Sequence, residues 1–218
     1  MFVEGATLIG EALEAGLVLH EEYVGPNGEP VAGGGYVELS LSALSRVATT
    51  ETPQPNVAVF RRPVPGQLDN VRCALVLDRI ADPGNVGTLI RSAEAAGIDA
   101  VVVTQGTADT FSPKVVRASA GAVFHQPLIE ASIGELAASG FDIIGTSSHL
   151  GVDHRVADWS GRVALVLGNE AHGVDIVPDR WVQVLHRGRS ESLNVAMAGT
   201  LLVFAMTDAR AMRDGDAQ

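Results

Sequence analysis

A parallel α/β sheet preceded by a smaller α/β unit is the fold this sequence predicts, and three observations carry the prediction. Apolar segments of strand length recur after residue 71, bounded by glycine or charge, and the intervals between them are helix-sized with apolar residues at helical spacing. The stretch Arg61-Arg62-Pro63-Val64-Pro65-Gly66-Gln67, with two prolines and a glycine, has the composition of a linker. The expected division is therefore residues 1–62 as a small α/β domain, 63–70 as linker and 71–218 as the larger domain.

In the first unit, residues 6–16 place Leu8, Ile9, Ala12, Leu13 and Ala15 on one side of a helix that Gly16 stops. Tyr36 to Leu39 reads as a strand, Ser40 to Val47 as a short helix and Asn56 to Phe60 as another strand. The second unit opens with an apolar strand from Val71 to Ile80. A helix follows, with Val86, Leu89, Ile90, Ala93 and Ala96 on one face and Gly97 at its end. Ala100 to Thr104 is almost continuous valine, as in a strand covered on both faces, and completes a β-α-β unit. Ser112-Pro113 opens the next helix as cap and first helical residue. Further strands are expected at residues 122–125, 141–146, 162–167 and 181–185. Leu193 to Ala209 reads as a terminal helix apolar on nearly every face. Such a helix needs burial, and a homodimer in which it packs on both its own domain and a second subunit is expected.

Composition narrows the class. Hydrophobic residues are 46% of the 218 and charged residues 19%, the balance of a folded globule rather than a disordered chain. Runs such as Ala74 to Leu77 and Val163 to Leu167 are strand-sized, so no membrane insertion is expected. Met1-Phe2-Val3-Glu4-Gly5 has no basic region before an apolar stretch, so a cytoplasmic location is expected. Cys73, the one cysteine, reads as a buried thiol. A net charge of −11 argues against attraction of nucleic acid by the whole surface and leaves local basic clusters. These are Arg61 with Arg62, Lys114 with Arg117, and Arg180 with Arg187 and Arg189, each either solvated charge or a ligand contact.

Ligands of parallel α/β sheets gather beyond the carboxyl ends of the strands, and three loops at such positions carry unusual chemistry. Asp82-Pro83-Gly84-Asn85-Val86-Gly87 follows a strand and opens a helix, with Asn85 as a candidate N-cap and Arg91 six residues on, at the border of the apolar face. One reading is a ligand loop. The other is a cap plus an arginine paired with Glu94 or Asp78. In Gly168-Asn169-Glu170-Ala171-His172-Gly173 the glycines free backbone N–H groups and Glu170 offers acceptors, unless the segment is a plain strand-to-helix turn. In Arg187-Gly188-Arg189-Ser190-Glu191-Ser192-Leu193-Asn194, Ser192 and Asn194 either cap the terminal helix or face a pocket, and capping accounts for Ser192 better than for Asn194. A nicotinamide-binding turn fits poorly, because Thr104-Gln105 stands where an acid belongs and the glycine spacing differs. His149 and His154 lack companion ligands, and no metal is expected.

Together the three loops resemble the motifs of the SpoU/TrmH RNA 2'-O-ribose methyltransferases of the SPOUT class. Asn85-Val86-Gly87 with Arg91 is similar to the first motif, Leu167-Gly168-Asn169-Glu170 with Gly173 to the second, and Ser192-Leu193-Asn194-Val195 with Ala196 and Ala198 to the third. Pro113-Lys114-Val115-Val116-Arg117-Ala118-Ser119-Ala120-Gly121-Ala122 also resembles a family stretch, and the likeness spans residues 71–211. Phe2-Val3-Glu4-Gly5 and Thr52-Pro53-Gln54-Pro55 resemble a ribosomal-protein-like substrate-binding domain, which leans toward ribosomal over transfer RNA.

The resemblance implies a C-terminal trefoil knot, S-adenosylmethionine bound within it, an active site completed across a homodimer, and methyl transfer to a ribose 2'-hydroxyl of RNA. Thr146, Leu167, Gly168, Glu170, Leu185, His186 and Leu193 would hold the cofactor. Arg91 would activate the hydroxyl, Asn85 would orient it or an adjacent phosphate, and Ser192 and Asn194 would shape the catalytic pocket. Arg61, Arg62, Lys114 and Arg117 are then the candidate RNA contacts. A free guanidinium is effectively always protonated, so base and electrostatic roles for Arg91 both stay open. Val184-Leu185-His186 departs from the family's isoleucine-proline-methionine run; His186 reads as a solvent-facing substitute, with a substrate contact as the alternative. A non-catalytic RNA- or partner-binding descendant of the same fold is the competing functional reading.

Overall fold

Two sheets organise the chain, which the computed structural model describes over residues 1–50, 52–169 and 177–216. The first is built from β1 (Phe2–Glu4), β2 (Leu19–Val24), β3 (Val37–Glu38) and β4 (Asn56–Phe60), with helices α1 (Ala6–Glu14) and α2 (Leu41–Val47) between them. Its order is β1-β4-β2-β3, antiparallel except for the β2–β3 pair. Strands β1 and β2 were not expected. β1 has only three residues, and β2 hides its pattern behind a buried Glu22, whose carboxylate accepts from Val31 N at 2.7 Å and Ala32 N at 3.0 Å. A buried acid satisfied by backbone N–H groups occupies an inward position that pattern reading assigns to solvent.

The second sheet holds β5 (Cys73–Leu77), β6 (Ala100–Val103), β7 (Leu128–Glu130), β8 (Asp142–Thr146), β9 (Val152–Asp153), β10 (Val163–Leu167) and β11 (Arg180–Gln183). Helices α3 (Pro83–Ala96), α4 (Pro113–Ala118), α5 (Ile133–Ala138) and α6 (Val195–Asp216) accompany it. The order is β7-β6-β5-β10-β8-β11-β9 and every described pairing is parallel. Successive residues of β5 serve opposite faces. Leu75 and Leu77 join Val86, Leu89, Ile90, Val115, Leu202 and Val203, whereas Ala74 and Val76 join Leu136, Phe141 and Ile143. Burial on both faces is why these strands read as unbroken apolar runs.

The strand expected at 122–125 is absent. Gly121, at φ 89°, turns the chain into a single 3-10 turn, Ala122–Phe124, which buries Val123 and Phe124 without pairing, and β7 begins six residues later than the expected start. An apolar run reports burial and does not by itself report extension. Between Phe60 and Cys73 there is no helix or strand. Arg162 ties this segment to the sheet, donating to Val71 O at 2.8 Å, Ser139 O at 2.6 Å and Leu68 O, with its guanidinium 4.2 Å from the Phe141 ring centre. Cys73 is buried, and burial pushes its thiol up to about 11, away from nucleophilic chemistry.

Helix α6 starts at Val195 and buries Ala196, Leu202, Val203 and Met206. It is not buried all round: Met197, Leu201 and Phe204 are exposed, Met197 at 62%. Val195–Arg213 has the length and hydropathy of a membrane-spanning helix. Its packing explains the composition instead. Gly199 lets α6 approach Leu89 and Leu167, and Thr200 Oγ1 lies 2.7 Å from Ser92 Oγ on α3.

Candidate active site

The first loop folds around Asp82. Its carboxylate accepts from Asn85 N at 2.9 Å and caps α3, with Pro83 in the first helical turn. Asn85 is therefore not the N-cap the sequence suggested. Asp caps as well as Asn, and Pro83, with φ preset and no N–H to satisfy, fixes the start one residue after Asp82. The hydrogen bond from Asn85 N–H, and after it the Lys114 ammonium at 3.5 Å, holds the Asp82 carboxyl below its ordinary value. Gly87 has a packing role. A Cβ there would lie 2.8 Å from Val115 O and 2.9 Å from Ser119 N, so only glycine lets α3 and α4 approach this closely.

With its backbone in the cap, the Asn85 side chain is available elsewhere, and its Oδ1 accepts from Asn194 Nδ2 at 3.1 Å. Asn194 in turn caps α6, its Oδ1 accepting from Ala196 N at 2.9 Å and Met197 N at 3.3 Å. This reverses the sequence expectation for the third loop. Asn194 is the cap, and Ser192 lies on a pocket wall.

That pocket, about 170 Å³, sits beyond the carboxyl ends of β8 and β10 and is closed by the start of α6. Six of the residues predicted from sequence line it: Thr146, Leu167, Gly168, His186, Ser192 and Leu193. Thr146 Oγ1 donates to Val166 O at 3.0 Å, which fixes its orientation. Leu185 does not line the pocket and is 48% exposed, a correction that follows from alternation past the end of β11: Val184 and His186 face in, Leu185 faces out. Glu170, with the rest of 170–176, lies outside the described residues. Ser147, Ser148 and Asn169 were missed as individual wall residues. Their position directly after strand ends was the available signal. Asn169 Nδ2 donates to Arg79 O at 2.9 Å, tying the second loop to the first; Arg79 holds φ 56°, an uncommon conformation for a side-chain-bearing residue.

His186 is the wall residue whose placement differs most from expectation. Its Nε2 is buried without a hydrogen-bond partner, so the side chain is not the solvent-facing substitute the sequence suggested. No Asp, Glu, Lys or Arg lines the pocket among the described residues.

Arg91 lies elsewhere, exposed on α3 and not on this pocket's wall. Among the described residues it makes no ion pair or hydrogen bond. Asp78, one partner considered for it, instead accepts from Thr104 Oγ1 at 2.9 Å and pairs with Arg79 at 3.2 Å. The other basic candidates are partly engaged. Lys114 pairs with Asp82, Arg117 donates to Thr49 Oγ1 at 2.6 Å, and Arg62 pairs with Asp109 at 2.6 Å while its guanidinium sits 5.6 Å from the Phe111 ring centre. Arg61 is exposed. Arg180 binds Asp142 and Asp158 O and is structural. A wider cleft of about 960 Å³ opens past the ends of β6 and β7, with Arg62 and Phe111 on its wall; it contains none of the three motif loops, whereas the second and third wall the smaller pocket.

A parallel sheet with a pocket beyond its strand ends, walled by the second loop and by the loop that leads into α6 and lined by no charged side chain among the described residues, is the ligand-binding arrangement of an open α/β domain. The particular family follows from comparison. Residues 72–204 match the SpoU rRNA Methylase family, and the chain belongs to that family. It is 38% identical over 214 residues, 93% of its length and 86% of the relative's, to 23S rRNA (guanosine(2553)-2'-O)-methyltransferase RlmP of Bacillus subtilis. The AdoMet-bound rRNA methyltransferase of Sinorhizobium meliloti superposes with a TM-score of 0.83 at 30% identity, covering 95% of this chain and 87% of that one. The SpoU methyltransferase AviRb of Streptomyces viridochromogenes, in complex with the cofactor AdoMet, gives 0.83 at 26% identity over 97% and 90%.

Proposed function

We propose that this protein transfers the methyl group of S-adenosylmethionine to a ribose 2'-hydroxyl of RNA, ribosomal rather than transfer RNA. The observation that carries this reading is the Asn85–Asn194 hydrogen bond, which joins the first and third motif loops beside the pocket that the second loop also walls. The relative RlmP, named for this reaction on 23S rRNA, and the two AdoMet-bound neighbours support the choice of substrate and cofactor.

The pocket's residues fit the cofactor. Leu167, Val184, Leu193 and Leu202 offer apolar walls, and the unpartnered His186 Nε2 offers a polar contact inside them. Bound there, S-adenosylmethionine supplies an activated methyl group on a sulfonium sulfur. The chain's part would be to align the ribose oxygen in line with that methyl and to ease loss of the hydroxyl proton. Arg91 places a cation beside the reacting oxygen and lowers the cost of its charge as the proton departs. Asn85, held by Asn194, orients the hydroxyl or its neighbouring phosphate. Arg61, Arg62, Lys114 and Arg117 contact the RNA backbone.

The assembly is a homodimer. The exposed face of α6, with Met197, Leu201 and Phe204, supports it, and so does the absence of Arg91 from the pocket of its own chain, since a site completed by a second copy needs none there. Residues 1–62 form the RNA-binding domain, 63–70 the linker and 71–218 the catalytic domain, with the C-terminal part threaded as a trefoil knot; the interleaved strand order β5-β10-β8-β11 supports such threading. The protein acts in the cytoplasm, where ribosomal RNA is modified.

Calorimetric titration with S-adenosylhomocysteine, followed by mapping of ribose methylation in ribosomal RNA from cells with and without the gene, tests this reading. Binding and one methylated ribose lost with the gene are expected. Binding to RNA without cofactor binding would replace the enzyme with a non-catalytic RNA-binding protein of the same fold.

A further inference from the structure

We infer that His186 is a side-chain ligand of the cofactor's adenine ring, through a hydrogen bond from or to Nε2; this rests on the cofactor reading above. Three observations lead there. The pocket wall carries no charged side chain among the described residues, and aliphatic groups from Leu167, Val184, Leu193 and Leu202 dominate it. The cofactor's ammonium and carboxylate would be stranded on such a wall, whereas adenine is neutral, flat and apolar on both faces with polar atoms confined to its edge. That edge requires hydrogen-bonding partners inside the pocket.

Three of the other polar side chains on this wall are engaged. Thr146 Oγ1 donates to Val166 O, Asn169 Nδ2 donates to Arg79 O, and Ser147 Oγ accepts from His149 N and Leu150 N, both at 3.1 Å. His186 Nε2 is the buried side-chain nitrogen on this wall that has no partner. Such an atom is unfavourable while unsatisfied, so a ligand that satisfies it binds more tightly. A neutral imidazole presents Nε2 as donor or acceptor according to tautomer, and the adenine edge holds both ring-nitrogen acceptors and an amino donor, so one tautomer always matches. Leu185 and His186 stand in place of a proline-methionine pair, and neither of those residues can make this contact through its side chain. The histidine contact is therefore a property of this chain's own pocket.

The test uses the full-length protein and two probes, S-adenosylhomocysteine and 5'-methylthioadenosine, which lacks the amino-acid end. His186→Met keeps the side-chain bulk and removes the hydrogen bond. It is expected to weaken both probes by the same factor, about tenfold for one hydrogen bond, at a melting temperature no lower than that of wild type. His186→Gln, which carries a hydrogen-bonding amide, is expected to recover most of that loss. Unchanged affinity in His186→Met overturns the inference, as does a loss confined to S-adenosylhomocysteine, which would place the contact at the amino-acid end. A glutamine variant as weak as methionine also overturns it, because shape would then explain the loss. Wild-type protein that binds neither probe would defeat the cofactor reading itself, a different result from any of these.

Discussion

Asn194 spends both ends of its side-chain amide at once: the oxygen caps α6, and the nitrogen reaches Asn85 Oδ1 at 3.1 Å across 109 positions of sequence. The two uses can be separated. Asn194→Ser retains a capping oxygen but is too short to keep the bond to Asn85, whereas Asn194→Ala loses both. The alanine variant should be destabilised in urea unfolding by about 1 kcal/mol, and the serine variant by much less. Both should lose methylation at least tenfold if the Asn85 orientation matters. Full activity in the serine variant would show that the link is only architectural.

Two glycines at helix contacts should respond differently to alanine. At Gly87 the new Cβ meets backbone, Val115 O at 2.8 Å and Ser119 N at 2.9 Å, so α4 itself would have to move. At Gly199 it meets terminal methyls, Leu89 Cδ2 at 2.3 Å and Leu167 Cδ1 at 2.5 Å, which can rotate. Overpacking costs about 1–3 kcal/mol, against which alanine regains roughly 1 kcal/mol of helix preference. Thermal melts should place Gly87→Ala far below wild type and Gly199→Ala close to it. The second variant should nonetheless bind S-adenosylhomocysteine more weakly, because the displaced Leu167 is a wall of the pocket.

These contrasts also show what could be read in the sequence. The parallel sheet was legible because β5, β6, β8 and β10 are covered on both faces and leave unbroken apolar runs. The pocket was legible through the family resemblance, which named Thr146, Leu167 and Gly168, and their place at strand ends is the physical reason they fall on its wall. What escaped depended on which hydrogen bond a polar residue chose. The sequence offered Asn85 as the cap of α3 and favoured Ser192 over Asn194 as the cap of α6, and in the fold Asp82 and Asn194 take those places. Buried acids such as Glu22 break the alternation that identifies a strand.

Glu4, in the short β1, gives a pH test. Burial alone would raise its pKa, but hydrogen bonds from the hydroxyls of Thr50 and Thr49 and from the N–H groups of Thr49 and Gln54 outweigh this and hold it below the ordinary 4.5. A carboxyl depressed in the folded state stabilises at pH above its unfolded value, and that contribution fades as pH falls through the folded one. Glu4→Gln should therefore lose about 1–3 kcal/mol in urea unfolding at pH 7, and the gap to wild type should shrink below about pH 4. A gap that stays constant with pH would mean the charge is not what orders this loop.

Arg91 separates binding from chemistry. It is absent from the cofactor pocket wall, so Arg91→Ala should bind S-adenosylhomocysteine as wild type does. If its cation offsets charge on the reacting oxygen, methylation should fall by about 10²–10³, the usual cost of removing one such group, and unchanged turnover would eliminate the role. Mixed dimers then locate it. Ala198→Phe fills the pocket, since Ala198 lies on its wall, and is inactive by design. Co-expressed with Arg91→Ala, it forms heterodimers in which one pocket is intact and the other chain supplies the intact arginine. Activity returns only if Arg91 works across the dimer; within a single chain, every site in the mixture would lack either the pocket or the cation.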